Sequence, residues 1–168
     1  MGDRLLVLDH GEVLQIGPPG EIYEHPSTRQ LAEFMGRVNW IEGKAAPDGR
    51  FETRLGLLRA ARPAPAGSAV TLGIRPENAT LTRTTAAEGD PKAVRATVLS
   101  AQFLGSYAVV ELDAAGLRLV IEMRGGEALP EAGETVVVHL PYERLLLFAR
   151  DPDHAMQAAG AQAALSVP

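Results

Sequence analysis

The 168-residue chain contains no cysteine, which excludes a disulfide framework and every thiolate metal site. Aromatic residues make up only 5% of it, with Trp40 the single tryptophan, so the core has to be built from Leu, Val, Ile and Ala. No apolar run approaches the roughly 18–20 residues that cross a bilayer. The short run Leu5-Leu6-Val7-Leu8 follows Asp3 and Arg4, and no small-residue cleavage site comes after it, so it is not read as a signal peptide. No cluster of Lys and Arg stands out and the formal charge is −5, which argues against nucleic acid as a partner. A phosphate-cradling G-x-x-x-x-G-K-[ST] loop is also missing: the only Gly-Lys pair, Gly43-Lys44, runs into Ala45 and lacks the upstream glycine. Asp9 ends its apolar run as a magnesium-holding strand would, but His10 stands where a catalytic Glu is expected. It is therefore read as the end of a hairpin strand. The chain is expected to be no enzyme, with no catalytic, cofactor-binding or metal residues and no direct membrane insertion.

What is present is turn chemistry and short β-forming runs. The 17 Gly and 12 Pro favour many short strands over long helices, and 46% hydrophobic content can supply a core. Residues 4–9 and 12–17 read as a hairpin about His10-Gly11. Pro18-Pro19-Gly20 stops the second strand, and residues 20–24 form a short helical turn ended before Pro26. Ser27 and Gln30 have capping-box spacing, and Leu31, Phe34, Met35 and Val38 recur at helical spacing, which predicts a helix over about 27–37. From 39 to 149 the pattern changes to eight or nine short strands with regular turns. The fold class is mainly β: an OB-like small β-barrel or sandwich preceded by a hairpin and a short helical segment. The alanine-rich tail, 151–168, is expected to be disordered or a frayed helix.

Two local groups are candidate sites. In "GIRPE", Gly73 permits close approach and Pro76 fixes φ, while Arg75 offers a fork of donors and Glu77 a carboxylate two residues on. Two readings are open for them: an ion pair or an arginine capping loop carbonyls, or a regulatory contact to a partner subunit or small anion. Gly105 and Ser106 could supply polar groups to a small-ligand pocket; otherwise they form a β-turn with Phe103 buried in the barrel. His10, His25, His139 and His154 show no ligand spacing, and Ser100 and Ser106 have no base beside them. Trp40 is read as a core or interface anchor.

The stretch "DRLLVLDHGEVLQIGPPGEIYEHPSTRQLAEFMG" (3–36) closely resembles the end of the nucleotide-binding domain of ABC importer ATPase subunits. "NWIEG" (39–43), "LGIRPEN" (72–78) and "FLGSYAVVEL" (103–112) resemble the OB-like regulatory domain, often called TOBE, that follows it. The resemblance implies a nucleotide-binding-domain remnant over 1–37 and a TOBE domain over 38–150. It implies no ATPase activity here, since the phosphate loop, signature loop and switch histidine lie upstream in the family; ATP and magnesium belong to the parent. It further implies a homodimer, permease subunits as partners of the parent, and a cytoplasmic location at the inner face of the inner membrane. The imported solute is implied to be iron, a polyamine or similar. A freestanding oxyanion-binding module of the molybdate-binding type is the alternative.

Overall fold

Strand-forming residues and tight turns alternate along most of the chain, and the computed structural model, which describes residues 3–83 and 93–150, is correspondingly mainly β. The first elements are a hairpin of β1 (Leu5–Asp9) and β2 (Glu12–Gly17). Its turn places His10 at φ 47° and Gly11 at φ 86°, the left-handed pair a two-residue turn needs. Proline lacks the N–H that a ladder uses but suits a first helical turn, so Pro18-Pro19 ends the strand and starts helix α1 (Pro19–Glu24). Helix α2 (Arg29–Phe34) is capped by Thr28, whose hydroxyl accepts from the Leu31 N–H at 3.1 Å. The cap expected at Ser27 is thus displaced by one residue. The Ser27 N–H donates to Gln15 Oε1 at 2.7 Å, and Gln30 donates to Asp9 Oδ2 at 3.0 Å. Both groups serve to tie the helix region to the hairpin, and tertiary contacts have taken them from the local capping box.

Ten strands follow among the described residues: β3 (Asn39–Ala45), β4 (Phe51–Thr53), β5 (Gly56–Leu58), β6 (Ala69–Ile74), β7 (Thr80–Thr82), β8 (Ala93–Phe103), β9 (Tyr107–Ala114), β10 (Leu117–Arg124), β11 (Thr135–His139) and β12 (Leu146–Ala149). The count exceeds the expected eight or nine partly because "FETRLGLL" folds back on itself. The Thr53 hydroxyl accepts from the Leu55 N–H and donates to the Gly56 carbonyl, turning one run into the β4–β5 hairpin. The strands form two five-stranded sheets, in the orders β10-β9-β8-β11-β7 and β12-β6-β3-β4-β5. The first sheet curls until its two edge strands, β10 and β7, approach one another, giving an OB-like half-barrel. The expected tail and His154 lie outside the described residues.

Alternation explains the core. Along β9 every second residue, Ala108, Val110, Leu112 and Ala114, is fully buried, and Leu119, Ile121 and Met123 do the same on β10. These pack with Ile41, Phe51, Leu72 and Ile74 of the second sheet into one core of 22 buried residues. A separate, small cluster of Val7, Ile22 and Leu31 lies between hairpin and helices.

Asn39 joins the two sheets. Its amide donates to the Val120 carbonyl at 2.8 Å and accepts from the Val120 N–H at 2.7 Å, so it mimics a neighbouring strand along the open edge of β10. The same amide also donates to the Ile74 carbonyl at 3.3 Å. It is buried, and those bonds offset the desolvation of its amide.

Candidate functional site

The "GIRPE" segment runs off the end of β6 into the junction between helices and barrel. Gly73 pairs with Trp40 across β3 and β6, and the indole lies directly over it. A Cβ there would sit 2.8 Å from Trp40 Cε3, so glycine is needed for the tryptophan to cross the strand. Trp40 in turn meets Phe148 edge-on at 5.9 Å and carries the Arg29 guanidinium over its face at 4.7 Å.

Arg75, two residues on, is 2% exposed. Its Nη2 and Nε donate to the Tyr23 carbonyl at 2.9 and 3.3 Å, and its Nη1 donates to the Ala32 carbonyl at 3.5 Å. Those carbonyls belong to the last turns of α1 and α2, where helices leave acceptors unused and carry a partial negative charge. One guanidinium from the barrel therefore caps two helices. It also stacks on the Tyr23 ring, with its central carbon 3.5 Å from the centroid. Gly36 leaves room beside it, since a Cβ there would lie 3.4 Å from Arg75 Nη1.

Pro76 starts a 3-10 turn, Pro76–Asn78, that swings Glu77 back over the same tyrosine. The Tyr23 hydroxyl donates to Glu77 Oε1. Burial of the ring, and then this bond to a carboxylate, push the Tyr23 pKa up to about 12. Arg75 and Glu77 thus converge, and they do so on Tyr23 from the two sides of one side chain. A further exposed ion pair, Arg144 Nη1 to Glu24 Oε1 at 3.3 Å, bridges the same two regions. Beside the clasp lies a cavity of about 210 Å³, lined from α1 and the turn after it, the loop at 61–62, the 3-10 turn and residues 143–148. A broader groove of about 700 Å³ runs along β3 and β4, with Glu42 held by Arg150 at 2.8 Å on its wall.

Gly105 and Ser106 lie elsewhere, in the β8–β9 turn. Both are exposed and line neither cavity. Gly105 has φ 92°, and a Cβ there would meet nothing, so backbone conformation alone accounts for the glycine. The Ser106 carbonyl accepts from the Gly125 N–H at 3.0 Å. Phe103 is 58% exposed, which corrects the expectation that it fills the barrel. Phe103 pairs with buried Ala108, but β8 extends past the end of β11, which leaves the Phe103 ring uncovered. Among the described residues no group of three His, Asp or Glu could hold a metal, and no helix is long and apolar enough to cross a membrane. Tyr23 and Asn39 are the partners that sequence reasoning missed. The only available signal was their place inside segments, "EIYEHP" and "NWIEG", singled out for other reasons.

Comparison with known proteins assigns this architecture. Residues 72–148 match the TOBE domain. The chain is 33% identical over 157 residues to the sn-glycerol-3-phosphate import ATP-binding protein UgpC of Yersinia pestis, with 90% of this chain and 42% of that protein covered. The UgpC protein of Chromobacterium violaceum is 35% identical over 175 residues, covering 99% of this chain and 45% of that protein. The chain spans less than half the length of these relatives. A structure of the cytoplasmic molybdate-binding protein ModG with molybdate bound shares the fold, with a TM-score of 0.56 and 14% identity over 75% of this chain and 99% of that one. Residues 72–148 thus carry a TOBE domain, and the chain as a whole is similar to the C-terminal region of ATP-binding subunits of ABC importers.

Proposed function

We propose that this chain is the regulatory and dimerisation part of the ATP-binding subunit of an ABC solute importer, without ATPase activity of its own. The division at about residue 38, between a nucleotide-domain remnant and the TOBE barrel, is part of this reading. The Arg75 clasp carries it. A regulatory domain can bias an ATPase cycle only through contacts that differ between its states, and it needs a firm hold on the ATPase body to do so. A single buried guanidinium capping both helices is such a hold.

The hairpin supports a partner. Leu6 faces Ile16 and Leu8 faces Val13 across the strands, all four about half exposed on the side away from the small core. A two-stranded ribbon with apolar residues on both faces fits burial against the body of a longer subunit, or against a second copy. The longer protein would bind ATP and magnesium and work with permease subunits at the cytoplasmic face of the inner membrane. The relatives' names favour a phosphorylated polyol as its solute, ahead of the iron or polyamine implied by resemblance at 103–112.

The test is the coding DNA upstream of Met1. An in-frame phosphate loop, signature loop and switch histidine, and ATP hydrolysis by the longer product, are expected. A stop codon immediately upstream would overturn the reading. Sedimentation should give a dimer, and a monomer at high concentration would remove the dimerisation role. The second reading, a freestanding oxyanion-binding module, is favoured by the ModG-like fold. It requires thermal stabilisation by molybdate, because a ligand selective for the folded state raises stability.

A further inference from the structure

The cavity beside the clasp has a lining that the regulatory reading does not use. Its volume of about 210 Å³ corresponds to roughly seven waters of liquid at about 30 Å³ each, room for a phosphate group and a short tail. Three guanidiniums from separate parts of the chain border it: Arg62 from the loop after β5, Arg75 from the end of β6 and Arg144 from the turn before β12. Arg75 is the only charged side chain among the buried residues described. Its hydrogen bonds go to neutral carbonyls, which solvate a buried cation without neutralising it.

Three carboxylates border the cavity as well, and each already accepts a bond or pairs. Glu77 accepts from the Tyr23 hydroxyl, Glu24 pairs with Arg144, and Glu143 is hydrogen-bonded to the Tyr142 side chain. A carboxylate retains spare lone pairs after one such bond, so these groups and the Asn78 amide can still accept from a hydroxylated ligand. The floor is apolar, formed by Leu145, Leu147 and Phe148. The guanidiniums are forked donors that suit a tetrahedral dianion, and the carboxylate and amide oxygens among them suit hydroxyl groups.

We propose that the junction cavity binds a small phosphate monoester with a hydroxylated tail, its phosphate held by Arg62 and Arg144 over the buried Arg75. Occupancy would bridge the helices and the barrel and so tighten the clasp, a consequence that rests on the regulatory reading; the binding itself does not.

Calorimetric titration of the full chain with 2-hydroxyethyl phosphate, ethyl phosphate and inorganic phosphate tests the site. The hydroxyethyl ester is expected to bind most tightly. Arg62→Gln and Arg144→Gln are each expected to weaken it at least tenfold, while Arg118→Gln, at an exposed pair with Glu111 on the β9–β10 face, leaves it unchanged. Amide shifts in Tyr23, His25 and Asn78 should accompany binding. Absence of binding, or an equal loss in Arg118→Gln, overturns the proposal. A chain that dimerises yet binds no ester would sink this site and leave the regulatory reading standing; a binding monomer would do the reverse.

Discussion

The helix-and-hairpin region and the barrel are built by the same rules, yet they are held together differently. The barrel buries 22 residues in one cluster, much of it fed by strand alternation. The region before it has a cluster of three, Val7, Ile22 and Leu31, with Leu5, Leu14 and Met35 packed alongside. At about 1.5–3 kcal/mol for each fully buried aliphatic side chain, the small cluster falls far short of offsetting the ordering of some thirty residues. What the small region lacks in core it gains at its border. Arg75 caps both of its helices, Tyr23 is held between Arg75 and Glu77, Arg29 covers Trp40, and Arg144 reaches Glu24. The lesson is that a region too small to fold on its own apolar surface can be ordered by a few polar contacts to a stable neighbour. It follows that changes in those contacts act on the small region selectively.

The two regions should differ most when their cores are cut. Leu112→Ala in the barrel should cost about 2–5 kcal/mol and lower the midpoint of the whole denaturation curve. Leu31→Ala, the same chemical change at an equally buried site, should cost the barrel little and instead expose α1 and α2 to proteolysis. Asn39→Ala comes next. It strips partners from both the Val120 N–H and the Val120 carbonyl and should destabilise the barrel by about 2–3 kcal/mol in urea unfolding. Gly73→Ala should cost about 1–3 kcal/mol, because the new methyl collides with Trp40; a blue or red shift of the single tryptophan's emission would report the displaced ring.

The smallest effect lies in pH. Tyr23 holds its proton up to about 12 against an ordinary value of 10, so its folded pKa is raised. Its contribution is then complete below pH 10 and is lost as pH rises towards 12. Alkaline titration should loosen the helices across that window in the native chain. Tyr23→Phe should show no such step, and an identical step in both proteins would remove Tyr23 as its source.

Local chemistry made much of this legible in the sequence. Gly11 announces its turn, Pro18-Pro19 the change from strand to helix, and the alternation in "YAVVELDA" its buried face. Residues whose partners are distant were the ones that escaped. Asn39 finds Val120 81 positions away, and Arg75 finds Tyr23 52 positions away, so neither bond leaves a trace in a short window. Competition misled in two places. Ser27 has the right spacing for a cap but is drawn to Gln15 and Leu14, and Phe103, expected inside the barrel, sits past the point where β11 stops covering β8. In "GIRPE" the sequence drew notice to Arg75 and Glu77, while their partners Tyr23 and Ala32 became visible only with the helices docked.

The most direct test of the clasp is amide hydrogen exchange of the full chain and of Arg75→Met, which keeps side-chain bulk but removes every donor. In the variant, α1 and α2 should lose protection by a factor of ten or more while β9 and β10 keep theirs, since a lost charged hydrogen bond is worth about 1.5–3 kcal/mol. Unchanged protection in the helices, or an equal loss in the barrel, would contradict it.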